Sequence, residues 1–262
     1  MSKERHLIIG AGEVGQALAI VLSRAFPVSL RDAEVGLKGR FDVMHIAYPM
    51  AKNFVRATKR YIALYRPSLV IVHSTVPVGT TMKIGRRAVH SPIRGMHTKR
   101  HHPGVTNASP HVVVGNPRHF ARSLFAFPKY FAGPKAKRAA DVFARVGFKT
   151  VTFRKPETTE LAKLLDTAYY GWNIVFAKEA KRLCAQWELD YDEVYTVPNK
   201  DYNVGYRKLG KPYVARPVLK HMPGGIGGHC VVSNCHHMRS WLTDTIAQRD
   251  RVYRRELKRT KR

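Results

Sequence analysis

His6-Leu7-Ile8-Ile9-Gly10-Ala11-Gly12-Glu13-Val14-Gly15 decides the fold: a short apolar run, then glycines in the pattern Gly-x-Gly-x-x-Gly. Gln16–Arg24 follows with apolar residues at helical spacing. Strand, glycine turn and helix in that order are the context a dinucleotide-binding loop requires. Gly10 allows the tight turn, Gly12 lets a pyrophosphate approach the backbone, and Gly15 lets helix and strand pack closely. Glu13 and Val14 complete the loop, and the helix presents its positive dipole end to phosphates. Pro27–Asp32 reads as a second strand ending in an acid about 20 residues beyond the glycines, where a ribose-binding carboxylate belongs. Asp32 favours NAD over NADP, while the neighbouring Arg31 offers a cation able to accept a 2′-phosphate.

Outward from that loop, strands and helices alternate. Phe41–Ala47 reads as a third strand, arriving after too little sequence for a full crossover helix. Asn53–Tyr65 has helical periodicity and Leu69–His73 is a buried strand. It runs into Ser74-Thr75-Val76-Pro77-Val78-Gly79-Thr80-Thr81, a hydroxyl-rich loop at a strand's carboxyl end, where open parallel sheets bind ligands. Ala88–His90 and His111–Val114 read as further strands, separated by the cationic loop His97–His102. Asp141–Gly147 reads as a short helix and Lys149–Phe153 as a closing strand. The expected fold is α/β: a Rossmann-type, mostly parallel sheet over residues 1–153, followed by a helical domain over 154–262.

The second region is built on one long helix, Thr158 to about Glu188, without internal proline. Leu161, Leu164, Leu165, Ala168, Tyr169, Trp172, Val175, Phe176 and Leu183 trace one apolar stripe, and Tyr170, Ile174 and Ala177 widen it. So broad an apolar face predicts burial against a second helical layer or a second subunit. Asp190–Val194 opens a further helical stretch reaching toward Gly210, and a basic helical tail closes the chain.

In 262 residues, 46 Lys and Arg oppose 18 Asp and Glu, a net charge of +28 that favours anionic partners. The basic residues are dispersed, densest over Arg249–Arg262, and no nucleic-acid-binding motif accompanies them. No apolar run approaches the roughly 18 residues of a membrane span. The first residues show no signal-peptide pattern, and Cys184, Cys230 and Cys235 make no disulfide framework. A reduced, cytoplasmic setting is expected.

Pro223-Gly224-Gly225-Ile226-Gly227-Gly228-His229-Cys230 places four glycines before one cysteine. Such a loop can present a nucleophilic thiol to backbone N–H donors; it can equally be a tight turn before a buried cysteine. A third reading gathers His229, Cys230, Cys235, His236 and His237 as a metal site, without the second ligand pair that zinc spacing usually supplies.

Four stretches, in order, resemble the UDP-glucose/GDP-mannose dehydrogenase family: the glycine loop, Ser74–Thr81, the Glu160–Leu183 helix and Pro223–Cys230. The cysteine loop is most similar to that of UDP-N-acetylmannosamine dehydrogenases, which also place His before Cys. The resemblance implies oxidation of a nucleotide-sugar primary alcohol with NAD and no metal, in a homodimer. Cys230 would form a thiohemiacetal and then a thioester, Lys163 would stabilise the oxyanion, Thr75 would lie beside the nicotinamide and the water site as a catalytic residue, and Ser74 would join it in binding the cofactor.

The chain departs from the family pattern at three points. Thr167 stands where the family has asparagine, and Asn234 where it commonly has aspartate. In Ser91-Pro92-Ile93-Arg94, Ile93 replaces the glutamate that assists thioester hydrolysis. Only residues 236–262 follow Cys235, so the family's C-terminal nucleotide-sugar domain is expected to be absent. These departures leave two function classes: a dehydrogenase with slowed hydrolysis, or a catalytically weak NAD-binding module that assembles with other molecules, nucleic acid included.

Overall fold

The computed structural model describes residues 4–32, 37, 39–96, 116–226 and 229–260. The chain divides into two compact units, Met1–Lys163 and Leu164–Arg262. In the first, β1 (His6–Ile9), β2 (Val28–Arg31), β3 (Val43–Ile46), β4 (Leu69–Val72), β5 (Ala88–His90), β6 (Lys129–Ala132) and β7 (Thr150–Phe153) form one sheet. Its order is β2-β1-β3-β4-β5-β6-β7, parallel throughout except between β5 and β6.

The near-continuous apolar runs of β1, β3 and β4 fit a sheet covered on both faces. Ile8, Val43, Leu69 and Ile71 pack with α1 (Glu13–Leu22), α4 (Pro117–Leu124) and α5 (Ala136–Ala144). Leu7, Ile9, Met44, Ile46, Val70 and Val72 point to the other face, with Phe54 and Tyr65 of α2 (Phe54–Tyr65) and Ile84 of α3 (Thr80–Ile84).

Three elements differ from the sequence expectation. Helix α4 and strand β6 carry no long periodic signal, and the fifth helix begins at Ala136 rather than Asp141 because Ala136, Ala139 and Ala140 form its buried side. The expected strand His111–Val114 and the loop His97–His102 lie outside the described residues.

One buried row is polar. His6, His45 and His73 sit on adjacent strands or just beyond them, each staggered two residues from its neighbour's partner. His6 Nδ1 lies 2.9 Å from His45 Nε2, His45 Nδ1 lies 3.0 Å from His73 Nε2, and His73 Nδ1 is 3.0 Å from the Ser91 carbonyl. A carbonyl only accepts, so His73 carries its proton on Nδ1. With all three rings neutral, that choice puts the protons of His45 and His6 on Nδ1 as well. The free Nε2 of His6 faces Glu4 at 3.6 Å.

Burial lowers all three pKa values, that of His6 to about 4 against the opposing pull of Glu4 and Asp42. Buried Lys129, whose ammonium burial pulls down to about 7, donates to the Ser91 carbonyl at 3.4 Å and disfavours charge on His45 and His73.

The second unit carries most of α6 (Pro156–Gln186), then α7 (Val197–Lys208), α8 (His229–Cys235) and α9 (Trp241–Thr260). A methyl on Gly171 would lie 2.8 Å from Val231 and 3.0 Å from Ile246, so the missing side chain admits α8 and α9 to the α6 surface. Ala168, Val175, Ile226, Val231, Cys235, Ile246 and Tyr253 form the core there, while Ala177, Cys184, Tyr191 and Tyr195 form a second cluster. The apolar stripe of α6 is therefore only half covered: Leu161, Leu165, Tyr169, Tyr170, Phe176 and Leu183 are exposed. Among the described residues no helix is long and apolar enough to cross a membrane.

The histidine row sets a pH dependence. Unfolded imidazoles titrate near 6.5, so below that pH the unfolded chain binds more protons than the folded one. The stabilising contribution of the row is complete above that pH and is lost as pH falls through about 4, the His6 value. Lys129 acts in the same direction, from its unfolded value down to about 7. We expect His6 alone to remove about 2 kcal/mol between pH 7 and pH 5, read from urea midpoints. An unchanged midpoint would mean that the row takes up protons without cost.

Candidate functional site

In the first unit the glycine loop has the geometry its pattern requires. Gly10 sits at φ +106°, and a Cβ there would lie 2.8 Å from the Ala47 carbonyl carbon and 2.9 Å from the Tyr48 nitrogen. A Cβ on Gly15 would lie 1.8 Å from the Gly10 oxygen, which excludes any side chain. Gly12, the extended N-cap of α1, has open space around its Cβ position and no side-chain cap. The Gln16 side chain donates to the Ala11 carbonyl at 2.7 Å and holds the loop from behind. Glu13 and Val14 are half-buried in the first turn.

The loop lies where strand order reverses between β1 and β3, the place for a ligand in such sheets. Open backbone at a helix N-terminus with room in front fits a pyrophosphate. Asp32 is exposed just past β2. Arg31 is engaged with α2: its guanidinium donates to the Tyr65 hydroxyl and lies 5.0 Å over the Tyr61 ring.

The hydroxyl loop is tied to its surroundings. Ser74 Oγ donates to the Tyr48 carbonyl at 2.6 Å, joining the ends of β4 and β3, and Thr75 beside it is half-buried. His90 Nε2 donates to the Ser74 carbonyl at 3.3 Å, leaving Nδ1 to accept from the Thr159 hydroxyl at 2.8 Å. Burial, reinforced by the charges of Lys129 and Lys163, holds the His90 pKa down to about 3.

Glu160, fully buried, accepts from the backbone N–H groups of Gly79 at 2.6 Å and Thr81 at 2.8 Å. Burial raises its pKa and these bonds oppose the rise. The first turns of α6 thus belong to the first compact unit, which runs to Lys163. Lys163 is half-buried one helical turn beyond Glu160. Ile93 packs against the sheet core, and the Arg94 guanidinium covers the Tyr130 ring at 4.4 Å.

In the second unit Cys230 lies in the first turn of α8, half-buried and outside any disulfide. The cysteine thus follows the glycine stretch as part of a helix. One turn on, Asn234 donates from Nδ2 to Thr167 Oγ1 at 3.3 Å, and Thr167 donates to the Leu164 carbonyl at 3.0 Å. Two of the three residues singled out as departures from the family pattern therefore bond to each other. Cys235 belongs to the core, where burial raises its thiol pKa. Among the described residues no group of three or more His, Cys, Asp or Glu side chains could hold a metal ion. The structure thus joins Thr167 with Asn234, and Ser74 with the β3–β4 edge. Sequence reading missed His90, Thr159 and the role of Glu160; the spacing Glu160-x-x-Lys163 was the available signal for the last.

Residues 157–246 match the model of the UDP-glucose/GDP-mannose dehydrogenase family, central domain. An NDP-N-acetyl-D-galactosaminuronic acid dehydrogenase of Ralstonia nicotianae is 28% identical over 190 residues, 68% of this chain and 41% of that protein. The chain therefore spans about two fifths of the length of the curated relatives it matches. Among solved structures, a UDP-D-ManNAc dehydrogenase from Pyrococcus horikoshii aligns with a TM-score of 0.69 at 18% identity, over 94% of this chain and 68% of that one. A 3-hydroxyisobutyrate dehydrogenase from Mycobacterium tuberculosis aligns with a TM-score of 0.60 at 14% identity, over 94% and 92%. The fold is that of these dehydrogenases, and the resemblance to the nucleotide-sugar dehydrogenase family stands, through residues 157–246, on the segment holding the lysine helix and the cysteine loop.

Glu160 offers a direct test of the geometry. Replacing it with alanine leaves two N–H donors without their acceptor, which should cost about 1–3 kcal/mol per donor that stays buried. Glu160→Gln keeps one acceptor oxygen and should cost less. Urea denaturation of the two variants gives the comparison, and equal midpoints would refute the capping role.

Proposed function

We propose that this chain oxidises a CH–OH group with NAD as hydride acceptor, in a nucleotide-sugar 6-dehydrogenase-like reaction passing through Cys230. The observation that carries the reading is the joint occurrence, within the family-matched segment, of Lys163, the Thr167–Asn234 pair and Cys230. Residues 1–153 act as the NAD-binding domain and residues 154–262 as a central, dimer-forming domain.

Gly10, Gly12, Glu13, Val14 and Gly15 hold the pyrophosphate, Asp32 the ribose, and Ser74 and Thr75 border the nicotinamide. The engagement of Arg31 with Tyr61 and Tyr65 supports NAD over NADP, since that guanidinium already has partners. When bound, NAD takes up the hydride released from the substrate carbon. Lys163 stabilises negative charge on the substrate oxygen as the alcohol is oxidised to the aldehyde. The Cys230 thiolate then adds to the aldehyde carbon, and loss of a second hydride, to a second NAD, leaves a thioester. Thr167 and Asn234 fix the donor and acceptor environment one turn from the thiol. Water finally cleaves the thioester to a carboxylate and the free thiol.

Ile93 offers no base for that last step, and a positioned base is typically worth roughly 10²–10⁴-fold. We therefore expect a burst of reduced nicotinamide followed by a slow steady rate, with the acyl-enzyme visible by intact mass. Incubation with NAD and a panel of UDP- and GDP-sugars tests this, and hydroxylamine, which cleaves thioesters, should raise the steady rate at least tenfold. Absence of nicotinamide reduction with every sugar, or full turnover in Cys230→Ser, would overturn the reading. Binding of NAD without any reduction would favour the weak-catalyst, assembly-module alternative.

The half-covered α6 supports a homodimer. Leu165, Tyr169, Phe176 and Leu183 leave an apolar face bare in the single chain. Sedimentation should give a dimer for the wild type and a monomer for Phe176→Glu; a wild-type monomer would remove this part of the proposal.

A further inference from the structure

We infer that Lys178 and Asp250 are positioning residues for the Cys230 thiol: a buried cation and anion that together grip the glycine loop leading to it. The inference deepens the proposed function and rests on its reading of Cys230.

Lys178 lies on α6, 5% exposed, beneath the loop. Its ammonium donates to the Met222 carbonyl at 2.5 Å and the Gly224 carbonyl at 2.7 Å, and stands 5.2 Å over the Tyr253 ring. From the other side Asp250 of α9, 4% exposed, accepts the Ile226 N–H through Oδ1 at 2.6 Å. Its Oδ2 accepts from Arg254 Nε at 2.7 Å. Carbonyls at alternate positions 222 and 224 thus meet a cation, and the N–H at 226 meets an anion. Burying two charges is costly unless each finds its complement. Here the loop's backbone dipoles supply part of it.

The glycines fit the same grip. A Cβ on Gly225 would lie 2.6 Å from Asp250 Oδ1 and 2.8 Å from Arg254 Nε, so a side chain there would push the carboxylate off the loop. Gly224 takes φ +85°, which glycine adopts without strain. Ile226 is fully buried, and so, to 4%, is Val231 beyond the thiol. Anchors thus stand on both sides of Cys230: Ile226 is held by packing and by the ionic grip, and Val231 by packing in the same core.

The groups facing Lys178 and Asp250 define the electrostatics. Desolvation lowers the Lys178 pKa, while the charges of Asp250 and Glu256 raise it. Glu179, one residue along α6, is engaged instead by Arg249 and by the Tyr253 hydroxyl at 2.5 Å.

The test measures the thiol rather than stability. Wild type, Lys178→Met, Lys178→Arg and Gly225→Ala are alkylated with iodoacetamide from pH 6 to 10, and modification of the Cys230 peptide is followed by mass spectrometry. Buried Cys184 and Cys235 serve as internal references. Release of the loop should raise the Cys230 rate about tenfold at the alkaline plateau in Lys178→Met and Gly225→Ala, with the two references unchanged. Lys178→Arg should restore most of the difference. Gly225→Ala keeps the result decisive if Lys178→Met does not fold, because it leaves both charges in place. A Cys230 rate equal to wild type in the folded variants overturns the inference.

Hydride transfer measured on the same samples separates the two ideas. Altered alkylation in a protein that never reduces NAD upholds the grip and removes the proposed function. Unaltered alkylation in variants of an active enzyme removes the grip and leaves that function standing.

Discussion

The close approach of α8 and α9 to α6 at Gly171 is the constraint on which the second unit depends. A side chain there would meet Val231 and Ile246, and the core that gathers Ala168, Val175, Ile226 and Tyr253 could not close. About two helical turns farther on, Lys178 meets the Met222 and Gly224 carbonyls of the glycine loop. Pro156 opens the helix, and no proline follows it before the helix ends at Gln186, so the stretch between these two positions keeps its backbone ladder.

The departures from the family pattern look different once their partners are known. Taken one at a time, Thr167 and Asn234 read as lost helpers. In three dimensions the amide of one donates to the hydroxyl of the other, so the two positions share a single contact. Ile93 has no such counterpart: it packs against the core as an ordinary apolar side chain. Thr167 and Asn234 form a polar link one turn from the cysteine, whereas Ile93 presents only an apolar side chain.

What could be read from sequence follows how local each signal is. The glycine loop, strands β1, β3 and β4, and the extent of α6 were all legible, because periodicity and glycine spacing are short-range. Helix α4 and strand β6 were not, because Phe120 and Leu124 make too short a pattern and Lys129 sits inside a buried strand. The partners of Glu160, Lys178 and Asp250 were equally hidden. Each is a charged residue whose burial follows from a backbone group dozens of positions away, and composition reads such a residue as surface. The breadth of the α6 stripe was legible; which half of it a single chain covers was not.

The histidine row has one more consequence. Its three rings all donate in the same sense, from the Glu4 side toward Ser91, where a carbonyl ends the sequence of bonds. A proton landing on His6 Nε2 can be relayed ring to ring, reversing every bond behind it, until the charge rests on His73. The carbonyl cannot carry it farther, and Lys129 beyond makes that resting place unfavourable. The row is a cul-de-sac with a single mouth: whatever charge enters beside Glu4 must leave by the same door.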